Sequence, residues 1–167
     1  MNPAADPEYL ARLLDEQGPA LALFARQWTD AADDCVQEAL LELVRQRSIP
    51  DNVPAWLFRV VRNRAISRAR AQQRRRKHET FAAQELQLET KPGSEPEWTA
   101  EEVAAALDEI EGHLREVVVA RVWGNLNLEA IAELAGTSVS TAHRRYEAGL
   151  QALRTRLGIT WTAPNTN

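Results

Sequence analysis

A chain of 167 residues, 44% hydrophobic and 26% charged, can form one medium globular domain or two small ones. Its net charge is −4; no apolar run approaches the roughly 18 residues of a membrane span, and residues 1–6 lack the basic start and apolar core of a signal peptide. A single cysteine, Cys35, excludes an internal disulfide, and the chain is expected to be cytoplasmic.

Only 7 Gly and the lack of alternating β-branched runs predict an all-α fold. The helical periodicity of Glu8 to Leu14 is expected to break at Gly18-Pro19. A helix resumes from Ala20 to Trp28, with Leu21, Phe24 and Trp28 on one side. Asp30 or Asp33 is placed to cap the next helix, which should run to about Arg47 and carries the stripe Val36, Leu40, Leu43 and Val44. After a loop, Pro54 suits the first turn of a helix that turns Leu57, Val60, Val61 and Ala65 inward and continues into a basic tract, Arg68 to Lys77. Residues 79–98 mix acids with Pro92, Gly93 and Pro96, as a linker does. Helices are then predicted near 99–111, 114–123, 128–135 and 139–156, followed by a patternless tail. The expected organisation is two small helical domains, 1–80 and 99–158, joined by a flexible acidic linker, 81–98, with a disordered tail, 159–167.

Charge is strongly segregated along the chain. Residues 1–51 carry −6, 52–78 carry +9, 79–120 carry −9 and 121–167 carry +2. The basic segment holds 9 bases and no acid, so it cannot pair along its own helix and repels itself. That predicts a polyanionic partner.

Two constellations carry chemistry. The first is a helix-turn-helix at 127–156, with Ala132 as the small residue of the first helix, Gly136 at the turn and Val139 as the apolar anchor. Ser138 is suited to cap the second helix. The N-terminal turns of such a helix enter the major groove, where Ser140, Thr141, His143, Arg144 and Arg145 would reach bases or phosphates. The plainer reading is a helical hairpin with a Gly C-cap. The second constellation interleaves Trp56 and Phe58 with Arg59, Arg62, Asn63, Arg64 and Arg68. Basic side chains hold a nucleic-acid backbone while aromatics stack on unpaired bases. Phe58 is expected in the core; for Trp56 both roles stay open.

Taken together, residues 32–46 with 53–77 resemble region 2 of a bacterial sigma factor, and residues 114–157 resemble region 4. With only a short linker between them, the chain resembles an extracytoplasmic-function (ECF) sigma factor over roughly residues 8–158. The resemblance implies a promoter-specificity subunit that binds core RNA polymerase and directs initiation at −10 and −35 elements. It implies that Asp34, Gln37, Glu38 and Leu41 dock on the β′ coiled-coil of the polymerase, with the β flap as a further contact. It points to the loop at 48–53, with Asn52, Trp56, Arg59, Arg62, Asn63 and Arg64, for the −10 element. It assigns Ser140, Thr141, His143, Arg144 and Arg145 to the −35 element. Promoter DNA and an anti-sigma factor are the other expected partners. Ile110-Glu111 stands where the family often has Leu-Pro, the base-reading loop has no aromatic, and Glu147 sits where a basic or neutral residue is frequent.

Neither enzyme activity nor a metal or other cofactor is expected. His78, His113 and His143 are scattered, Cys35 has no ligand at metal spacing, and no Gly-rich phosphate loop is present. The alternative functions are a stand-alone helix-turn-helix regulator, which would bind an inverted repeat as a dimer, and an interaction module that reads no DNA.

Overall fold

Local signals start and stop most of the helices. In the computed structural model, which describes residues 6–75 and 98–159, Asp6 opens α1 (Pro7–Ala25) by accepting the Glu8 N–H at 3.1 Å. Helix α1 runs unbroken through Gly18-Pro19, against the expected interruption. Proline removes one backbone donor inside a helix. Burial of Leu13, Leu21, Leu23, Phe24 and Ala25 on both sides of it holds the two segments in one rod. Helix α2 (Ala32–Val44) ends three residues before Arg47, and neither Asp30 nor Asp33 caps it. Thr29 turns the chain instead, its hydroxyl accepting the Ala31 N–H at 3.1 Å. Helix α3 (Val53–Arg75) starts on Asn52, whose side-chain oxygen accepts the Ala55 N–H at 3.0 Å.

The second helical set begins with a capping box between Thr99 and Glu102, which opens α4 (Ala100–Asp108). Helix α5 (Gly112–Val122) follows, with Ile110 buried ahead of it. Asn127 caps α6 (Leu128–Ala135) at 2.8 Å from the Ala130 nitrogen. Gly136 ends α6 at φ 63, and Ser138 opens α7 (Val139–Arg156) by accepting the Thr141 N–H at 3.2 Å. Trp98, at the edge of the expected linker, donates its ring N–H to the Leu157 carbonyl at 3.2 Å. It thereby ties the entry of α4 to the exit of α7. Most of the expected linker and tail, and the end of the basic tract, lie outside the described residues. Among the described residues all elements are helical, and no helix is long and apolar enough to cross a membrane.

The two sets do not stand apart. Helix α1 packs on α5, α3 packs on α6, and one apolar core runs through both halves. Phe58 of α3, fully buried as expected, stacks edge-on against Phe24 with ring centroids 4.9 Å apart. The tip of its ring reaches Gly124 in the other half, where an added Cβ would lie 2.5 Å from Phe58 Cζ. Glycine is required there by close approach rather than by backbone angle.

Candidate nucleic-acid and partner interfaces

Helix α7 presents its first turns outward. Ser140, His143 and Arg144 are exposed, while Thr141 and Arg145 are half-buried. The Ser138 hydroxyl donates to Thr141 Oγ1 at 3.0 Å, and Arg144 Nη2 donates to the same oxygen at 3.3 Å. The N-cap thus connects to the guanidinium through one side chain. His143 Nδ1 lies 3.6 Å from Glu147 Oε2, so the acid noted in the sequence shares this face. Val139 is 43% exposed and is not the apolar anchor of the motif. Ala142, fully buried one turn on, takes that place. A small side chain suffices because α6 and α7 approach closely across the turn.

The basic helix α3 divides its polar residues among three faces. Toward α2, Arg64 donates to Glu38 at 2.9 Å and to Glu42 at 2.5 Å. Arg68 donates to Glu38 at 2.5 Å and lies 3.6 Å from Asp34. Gln72 donates to Asp30 at 2.9 Å. The acids stand one turn apart on α2 and the bases one turn apart on α3, so the two helices zip through a ladder of charge. Partial burial pushes the Glu38 carboxyl up, but Arg68 and Arg64 outweigh it and hold the group below its ordinary range. The hydrogen bond to Glu42 leads in raising Arg64, and for Arg68 the pairing with Glu38 overcomes desolvation. The acid-free tract therefore finds acids after all, 22 to 34 positions away along the chain. Part of the charge from which the sequence predicted a polyanionic partner is thus met within the fold, by Arg64 and Arg68.

Toward the second helical set, Arg62 pairs through Nε with Glu116 of α5 and sits 5.7 Å from the centre of the Trp28 ring. The third face is open. Arg59, Asn63, Ser67, Arg70 and Arg74 form an exposed stripe along α3. None of its arginines has an ion pair among the described residues. Of the residues expected to read the −10 element, Arg59 and Asn63 are free, while Arg62 and Arg64 are held inside the molecule. Asn52 is the exposed cap of α3, and Trp56 is half-buried against the core. The sequence reading missed Ser67 and Arg70. Their spacing from Arg59, a helical i+8 and i+11, was the available signal.

Helix α2 carries Asp34, Gln37 and Leu41 on its exposed side, with Leu41 55% exposed. Glu38, grouped with them in the sequence, turns partly toward α3. A groove of about 480 Å³ lies between α1 and α2, with Leu14, Pro19, Val36 and Gln37 in its lining and Asp15 and Asp33 among its acids. Leu14 is 44% exposed, so an apolar, acid-edged surface continues from Leu41 and Gln37 onto α1. Only tertiary packing brings α1 beside α2, and the sequence alone did not point to Leu14 or Asp15. Cys35 is buried beneath this face, and its burial raises the thiol pKa. Among the described residues, no group of three or more His, Cys, Asp or Glu could hold a metal ion.

The class of protein that this arrangement defines is an all-helical protein with an open basic helix face, a helix-turn-helix and a separate acid-edged apolar groove. Residues 14–75 match the family model Sigma-70 region 2. The chain is 32% identical over 134 residues to the ECF RNA polymerase sigma factor EcfG of Rhodopseudomonas palustris (strain TIE-1), covering 76% of this chain and 73% of the relative. It is 27% identical over 131 residues to the RNA polymerase sigma factor SigV of Bacillus subtilis (strain 168), covering 77% and 76%. Its fold matches the sigma factor RpoE of Bartonella quintana, solved with the anti-sigma factor NepR, at a TM-score of 0.73 and 22% identity over 93% of this chain and all of that one. It also matches CnrH, solved with the cytosolic domain of CnrY, at a TM-score of 0.58 and 21% identity over 95% and 94%. The chain belongs to the ECF family of RNA polymerase sigma factors, subunits that direct initiation at promoters. The reading as a stand-alone dimeric regulator is set aside, because it gives no account of the region 2 match over 14–75.

Proposed function

We propose that this sigma factor divides its work among three surfaces. The exposed side of α2, with Asp34, Gln37 and Leu41 and the adjoining groove, docks on core polymerase; Glu38 contributes from its partly exposed edge. The open stripe of α3, led by Arg59 and Asn63 and extended by Arg70, holds the strand of the −10 element beside the loop at 48–53. The first turns of α7 read the −35 element through Ser140, Thr141, His143, Arg144 and Arg145. The observation that carries this reading is the partition of α3. Acids of α2 neutralise Arg64 and Arg68, and a separate row of cations and amides stays open to solvent.

Opening DNA costs about 1.4 kcal/mol per base-pair step in stacking. Arginines on the backbone and one base held at the helix start offset part of that cost. Domains near 1–80 and 99–158, on a connecting stretch that includes 81–97, gain effective concentration once polymerase fixes their separation. An anti-sigma factor is a further proposed partner, supported by the complexes in which both structural neighbours were solved. The test is run-off transcription with core polymerase and a promoter library. Specific initiation with a stable sigma–core complex is expected; the absence of both would overturn the reading.

A further inference from the structure

We infer that Glu147 is a specificity-determining residue of α7, whose carboxylate selects a cytosine in the −35 element by accepting a hydrogen bond from the base's amino group in the major groove. The inference rests on the assignment of α7 as the −35 reader and deepens it.

Placement comes first. Seven residues make nearly two turns of helix, so Glu147 lies within about 20° of Ser140 around α7 and about 10 Å further along it. His143 stands on one side of the line between them and Arg144 on the other. All four residues are exposed. Glu147 therefore sits in the middle of the face assigned to DNA, displaced from Ser140 by the rise of about three base pairs.

The fold makes no use of the group. Glu147 stands midway along α7, beyond the first turn, where a helix dipole favours an acid. Among the described residues its carboxylate accepts no hydrogen bond, and its ion pair is with His143, whose Nδ1 lies 3.6 Å from Oε2. The two side chains are 64% and 53% exposed, and exposed pairs of this kind add little to stability. Both carboxylate oxygens are thus open to a ligand.

Chemistry then names the ligand. A carboxylate accepts hydrogen bonds and cannot donate them. In the major groove guanine offers two acceptors, thymine an acceptor and a methyl group, and adenine an amino group beside an acceptor at N7. Cytosine alone offers a donor with no acceptor of its own. The charge that repels phosphate therefore disfavours three bases and admits one, and that rejection is itself a source of specificity. An acid that weakens a phosphate contact gains sequence information on a base edge.

The experiment uses the full chain with core polymerase and promoter fragments randomised at the −35 element, with the bound fragments sequenced. For the wild type, one position should favour cytosine by about tenfold over each other base. Glu147→Gln, which can offer adenine a donor and an acceptor together, should move that position toward adenine. Glu147→Ala should flatten it to within about twofold, and should bind fragments lacking the cytosine more tightly than the wild type does. At that position N4-methylcytosine carries a methyl group in place of the amino hydrogen exposed in the groove. It should weaken wild-type binding about tenfold and leave binding by Glu147→Ala nearly unchanged. A −35 profile altered by Arg144→Ala but not by Glu147→Ala would overturn the inference and leave the reading of α7 standing. Full tolerance of N4-methylcytosine by the wild type would do the same. If neither substitution alters the profile, the assignment of α7 itself falls, and this inference with it.

Discussion

Gly136 takes a backbone conformation that most side chains resist. At φ 63 it ends α6 in the left-handed region, and two residues later Ser138 starts α7. Gly136→Ala should destabilise the fold by about 1 kcal/mol, since a Cβ meets its own backbone there while no neighbouring atom lies within 4 Å. A urea midpoint shift without a change in slope would show this; an unchanged midpoint would contradict the assignment. Asn63 offers the matching functional test. It is exposed on α3 and is not hydrogen-bonded into the fold among the described residues, so Asn63→Ala should leave the thermal midpoint nearly unchanged. It should slow promoter opening in potassium permanganate footprints and be rescued on a pre-melted template. Failure of the rescue would remove Asn63 from strand capture.

At the scale of elements, α2 and α3 act as one unit because Asp34, Glu38 and Glu42 meet Arg64 and Arg68. Each of these pairs is partly exposed, so each contributes no more than about 1 kcal/mol. Their main effect is to orient α3, with Arg59 and Asn63 outward. Glu38 titrates lower in the folded chain than in the unfolded one. Its contribution is therefore complete above the unfolded carboxylate pKa and is lost as pH falls through the depressed folded value. Comparing urea midpoints of wild type and Glu38→Gln, the wild type should be the more stable at pH 7, with the difference closing toward pH 3. A difference independent of pH would mean that Glu38 acts through packing rather than charge. In the second helical set, α4, α6 and α7 were legible in the sequence, since the caps at Thr99, Asn127 and Ser138 all act over three residues. It misjudged α1, because the burial that carries the helix across Pro19 comes from partners far along the chain.

For the whole molecule, the −4 net charge opposes DNA binding while the open stripe of α3 and the start of α7 favour it. The free chain at physiological salt should shift a promoter fragment little in a gel assay. With core polymerase present, the same fragment should shift and the complex should weaken steeply with added salt. Strong, sequence-specific binding by the chain alone would contradict this division of labour.

The sequence by itself determined the helical class, the turn at Gly136 and the cap at Ser138, because these depend on hydrogen bonds and backbone angles within a few residues. It also supplied the candidate readers on α3 and α7, since helical spacing places side chains on a common face. Only the tertiary structure decided which arginines stay open. Arg64 and Arg68 find Glu38 across 26 and 30 positions, and Arg62 finds Glu116 across 54. Electrostatic pairing depends on distance through space, and for these residues that distance exists only once the helices have packed.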